Sequence, residues 1–83
     1  MALQNYSGMN DDQAKVAIQS CIRGALHPGV EVKTIHDALQ RELGITGVAL
    51  TFNPQATEGR LPHYQHGMVM FMAHGPTGKT ISG

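Results

Sequence analysis

Residues 67–78 read GMVMFMAHGPTG. Met68, Met70 and Met72 alternate with Val69, Phe71 and Ala73, so a strand here is apolar on both faces, the pattern of a strand buried on two sides. Gly75, Pro76, Thr77 and Gly78 follow as turn residues, and residues 79–82 read as a short returning strand. A ribbon that is apolar front and back needs cover on each face. The rest of the chain has to be read for what supplies it.

Toward the N-terminus, Val48, Leu50 and Phe52 alternate with Ala49, Thr51 and Asn53, which predicts a half-buried strand over 47–53 that Pro54 stops. Between it and the Met-bearing strand lies NPQATEGRLPHYQH, residues 53–66. Its two prolines and one glycine mark a loop longer than the usual connection, the kind that is generally functional or disordered.

Two helices precede these strands. Asn10 with Gln13 has capping-box spacing, Met9 and Ala14 stand at the staple positions, and Asp11 and Asp12 suit the positive end of the dipole. Ala14, Ala17, Ile18, Cys21, Ile22 and Ala25 then form one apolar stripe, which predicts a helix over 10–26 that ends at His27-Pro28-Gly29. Val30 and Val32 suggest a very short strand. Thr34 with Asp37 repeats the capping spacing, Ile35, Ala38, Leu39 and Leu43 form a second stripe, and Gly44 sits at a C-terminal position, so a second helix is expected over 34–43. Residues 1–9 are a polar lead, a tail or an edge strand, to which no role is assigned.

The fold class implied is α+β: a single small domain over 1–83 with two amphipathic helices on one face of an antiparallel sheet of two to three strands. With 83 residues, a folded chain buries only about 60% of the surface its unfolded form exposes. Two helices cover one face of such a sheet. The second face of the Met-bearing strand is covered by loop 53–66 or residues 1–9 folding over it, or is left to another molecule, and methionine suits a surface that repacks against a partner. Met68, Met70 and Met72 are therefore the candidate oligomer or partner interface.

Charge and composition exclude more than they assign. Lys plus Arg and Asp plus Glu are six each, so no basic excess advertises nucleic acid or an anionic membrane. A single Cys21 excludes an internal disulfide framework. No basic-then-apolar leader opens the sequence and no apolar run is long enough to span a bilayer, so a cytoplasmic protein without membrane contact is expected. No cofactor is implied.

Residues 73–80, AHGPTGKT, resemble the phosphate-binding loop pattern with Ala in place of the first Gly, after a predicted strand. That mechanism requires a helix beginning at the Lys-Thr pair, and only Ile81, Ser82 and Gly83 follow. A hairpin turn accounts for the composition, with Gly75, Gly78, Lys79 and Thr80 retained as an anion contact. His63 and His66 have HxxH spacing but lack a third ligand, and His74 is a strand length of more than about 20 Å away, so no metal site is assigned. Arg60, His63, Tyr64 and His66 place acid-base residue types in one loop. They are also the contents of any polar binding loop, and no catalytic residue is assigned. Cys21 falls within an apolar stripe and is expected to be inert.

The expectation for function is thus a non-catalytic binding protein that self-associates or docks on a protein through its Met-bearing sheet, with Arg60, His63, Tyr64 and His66 as a binding loop. Compact accessory or inhibitor proteins, including phage-encoded ones, fit this profile. Two alternatives stand beside it. TIHDALQRELGIT, residues 34–46, looks like the opening of a helix-turn-helix with 67–81 as a wing, although the would-be reading segment GVALTFNPQ has no Lys or Arg. A small anionic-ligand (nucleotide) or metal-binding protein is the other.

Overall fold

The computed structural model describes residues 6–52, 59 and 69–83. In chain order they form a 3₁₀ turn, Tyr6–Gly8, then helices α1, Asp11–Ala25, and α2, Val32–Leu43, then strands β1, Ala49–Phe52, β2, Val69–His74, and β3, Thr80–Ser82. The three strands make one antiparallel sheet in the order β1-β2-β3, and the two helices pack against it, an α+β domain.

Helix α1 starts where local chemistry places it. The Asn10 side chain accepts from the Gln13 amide at 2.8 Å, and the Gln13 side chain accepts from the Asn10 amide at 3.1 Å, so two otherwise orphaned donors are satisfied reciprocally. Asn10→Ala is expected to cost about 1 kcal/mol. In a domain of this size that lowers the melting temperature by about 4–8 °C, to be read by circular dichroism; an unchanged midpoint would show that α1 is held by packing alone.

Helix α2 begins at Val32, two residues before the start that a Thr34 cap predicts. Its N-cap is Glu31, without a side-chain cap, and the Val32 amide donates to the Gly59 carbonyl at 2.8 Å. A backbone contact from far along the chain therefore satisfies the first orphaned amide of the helix. The short strand suggested at 30–33 reduces to one bridge residue, Glu31. At the other end Gly44 takes the left-handed conformation, φ 71°, and its amide closes on the Gln40 carbonyl at 2.9 Å.

The buried core joins Ile18, Cys21 and Ile22 of α1, Ile35, Ala38, Leu39 and Leu43 of α2, Val30 and Val48 from the connections, and Phe71 and Ala73 of β2. Ile18 and Ile35 are fully buried. The cross-strand pairs Leu50 with Phe71, Phe52 with Val69, and Ala73 with Ile81 carry this helix-facing side across all three strands. Ala49–Phe52 is a strand and no helix follows α2 among the described residues, so the second helix a winged-helix arrangement requires is not formed there.

Candidate binding surface

The sheet resolves the two-faced pattern of β2. Phe71 and Ala73 point into the core, whereas Met70 and Met72 are 59% and 55% exposed on the other side. Residues paired across an antiparallel ladder share a face. Met70 is flanked by Thr51, Met72 by Ala49 and Ser82, and His74 by Thr80. No Asp, Glu, Lys or Arg lies on this side of the three strands, so two exposed thioether chains sit among small or hydroxylated neighbours. Met68 lies outside the described residues, as do Arg60, His63, Tyr64 and His66 and nearly all of the 53–66 loop.

The turn after β2 is tied to the start of α1. The Gly75 amide donates to the Lys79 carbonyl at 2.6 Å, and the Gly78 amide to the Gly75 carbonyl at 3.0 Å, with Gly78 at φ 92°. The Thr77 hydroxyl lies 2.9 Å from each Asp11 carboxylate oxygen. A Cβ on Gly75 would come within 2.7 Å of Asp11 Oδ1 and 3.0 Å of the Lys79 carbonyl oxygen, so glycine is what lets the carboxylate approach. Of the candidate anion contacts Gly75, Gly78, Lys79 and Thr80, the two glycine amides are thus engaged within the turn, beside a carboxylate. The Lys-Thr pair leads into β3 and not into a helix, so the helix that would hold a phosphate in such a loop does not begin there.

The lead segment has a structural role that its composition does not announce. Tyr6 donates its hydroxyl to the His74 carbonyl at 2.7 Å, fastening the 3₁₀ turn to the end of β2. Burial, helped by the Asp11 charge, pushes the Tyr6 phenol above its ordinary pKa.

Cys21 is 8% exposed, and its thiol donates to a Glu42 carboxylate oxygen at 2.9 Å. Burial first, then the hydrogen bond to Glu42 and the charge of Glu42, push the thiol up to about 12, while Arg41 pulls weakly the other way. A thiol so protonated is a poor nucleophile at neutral pH. The Cys21–Glu42 contact joins one helix to the other and depends on their relative rotation, which no spacing within either helix reports.

Beside this contact an open groove of about 710 Å³ runs along α1. Met9, Val16, Ala17 and Leu43 give it apolar walls, and Asp12 and Glu42 contribute carboxylates. Val16 is 59% exposed. Among the described residues, no group of three or more His, Cys, Asp and Glu side chains comes together as a metal site. No helix among them is long and apolar enough to cross a membrane.

The geometry defines a class, a small two-layer α+β domain whose sheet face away from the helices has no Asp, Glu, Lys or Arg among the described strand residues. No family model, curated protein or solved structure matches the chain.

Proposed function

We propose that the protein is a non-catalytic binding module that self-associates through the open face of its sheet. The observation that carries this reading is the pair Met70 and Met72, more than half exposed on the central strand, with no Asp, Glu, Lys or Arg beside them on the three described strands. A two-fold pair brings the same residues of both copies together, so like charges at its centre would repel. Among the described residues of the three strands this face has none.

Magnitudes set the strength. Burying the exposed part of each methionine contributes about 1 kcal/mol, so four of them in a pair give about 4 kcal/mol, and the flanking residues add to this. The loss of translational and rotational freedom offsets much of it. The pair is therefore weak, with a Kd of about 1 mM at best. A cytoplasmic setting belongs to this reading, supported by the single unpaired Cys21, as does an accessory or inhibitory role of the kind small phage-encoded proteins perform.

Sedimentation equilibrium tests it across the concentration range from about 10 µM to 1 mM. The wild type is expected to pass from 8.9 kDa toward twice that mass. The double variant Met70→Asp, Met72→Asp should stay monomeric while keeping its helical circular dichroism, since both side chains lie outside the core. A wild type that remains monomeric throughout sinks the proposal, and so does a charged variant that associates equally well.

A further inference from the structure

The open sheet face carries a second chemistry in its sulfurs. Met70 and Met72 are 59% and 55% exposed on the central strand. A thioether has no proton to lose, so an oxidant needs only access to its lone pair, whereas a thiol reacts as its thiolate. Access and ionisation are both withheld from Cys21. It is 8% exposed in the core, its thiol donates to Glu42 at 2.9 Å, and burial followed by Glu42 pushes it up to about 12 despite nearby Arg41. Met9 is only partly exposed and packs against the core.

The usual order of sulfur reactivity is therefore inverted among the described residues, and Met70 and Met72 are the sulfurs an oxidant meets first. In reaction with a peroxide, a lone pair of the thioether attacks one peroxide oxygen, and the S–O bond forms as the O–O bond breaks. The proton on the transferred oxygen passes to the departing hydroxide, which leaves as water. The sulfur is oxidised and the peroxide reduced by the same electron pair, so the peroxide is the only co-reactant.

We infer that Met70 and Met72 form an oxidation site for small peroxides, and that sulfoxide formation there releases the self-associated pair. The release rests on the sheet-face association proposed above. Each sulfoxide places a strongly polar acceptor where an apolar thioether stood. On the described strands the neighbours are Thr51 beside Met70, and Ala49 and Ser82 beside Met72, so no cation stands next to either oxygen there. Pairing oxidised copies would strip water from two such acceptors on each, and burying a polar group without a full set of partners is unfavourable. Both side chains lie outside the core, so sulfoxide at these positions leaves the core packing intact.

Limited treatment with hydrogen peroxide, followed by tandem mass spectrometry and sedimentation equilibrium, tests the site and its effect separately. Sulfoxide is expected at Met70 and Met72 ahead of Met9, with the Cys21 thiol still free to alkylate once the chain is unfolded. At about 1 mM the untreated chain is partly paired, and the oxidised chain should fall back toward 8.9 kDa, a rise in Kd of about tenfold or more, with an unchanged circular dichroism spectrum. Methionine sulfoxide reductases supplied with a dithiol, which gives up the electron pair and ends as a disulfide, should restore the untreated sedimentation profile. Cys21→Ala should respond to peroxide as the wild type does. Oxidation of Cys21 or Met9 before Met70 and Met72 overturns the site. An oxidised pair as stable as the untreated one overturns the release, as does a loss of association that Cys21→Ala does not share. An untreated chain that is monomeric at every concentration sinks the sheet-face reading, and the release with it, whereas the order of oxidation is read from the peptides alone.

Discussion

Phe71→Ala is expected to abolish cooperative folding at room temperature. Phe71 is 4% exposed at the centre of the middle strand, opposite Leu50, and it also exchanges both backbone hydrogen bonds with Gly83. Truncating a buried phenylalanine costs about 3–5 kcal/mol, transfer and cavity terms together. A domain this small holds a total near the low end of about 5–15 kcal/mol, so the loss consumes most of it. Thermal and urea melts followed by circular dichroism should lack a sigmoidal transition. Phe71→Leu, which keeps most of the volume, should cost under about 1.5 kcal/mol and leave a clear transition. A Phe71→Ala protein that melts within a few degrees of the wild type would place the core elsewhere.

The second large effect concerns alkaline pH. The Cys21 thiol has its ordinary value, 9.0, in the unfolded chain and about 12 in the fold. Between these values the unfolded state has released its proton while the folded state retains it, so unfolding is coupled to proton release and stability falls as pH rises. The contribution is complete below pH 9 and is lost toward pH 12, at a slope of about 1.4 kcal/mol per pH unit. Tyr6, raised in the same direction from 10.0, adds to the decline at the upper end of the window. Urea melts at pH 8.5, 9.5 and 10.5 should show wild-type stability falling more steeply than that of Cys21→Ala, whose remaining slope reports Tyr6. Glu42→Gln, which removes the charge beside the thiol, should lie between them. Parallel slopes for wild type and Cys21→Ala would refute the buried, Glu42-bound thiol.

Features legible in the sequence are those whose physics is local. The Asn10–Gln13 capping box and the stripe of Ile35, Ala38, Leu39 and Leu43 depend on residues three and four apart, and these side chains are bonded or buried in the fold. The alternation at 69–74 announces a strand for the same reason. Which of its faces the helices take is a tertiary matter: Phe71 and Ala73 are buried because cross-strand neighbours Leu50 and Ile81 extend that side, whereas Met70 and Met72 stand beside Thr51 and Ser82. The start of α2 was obscured because its first amide is satisfied by Gly59, a partner that spacing around Thr34 cannot reveal. The groove was hidden for a related reason, since Val16 lies off the apolar stripe of α1, and Glu42 meets Cys21 only through the packing of one helix on the other. Arg60, His63, Tyr64 and His66 form a candidate binding loop by residue chemistry alone, and they lie outside the described residues.

The bonds from Tyr6 to the His74 carbonyl and from Thr77 to Asp11 span separations of 68 and 66 residues. Synthesis proceeds from the N-terminus, so α1 leaves the ribosome well before the strands it rests on exist. Its oily side, Ile18 and Ile22 above all, has only α2 for company until β2 arrives. Contacts this distant in sequence also slow the search for the native arrangement. The nascent chain therefore passes through an interval as a sticky helical pair, in which a holding chaperone has something to grasp, and the hairpin's arrival ends that exposure.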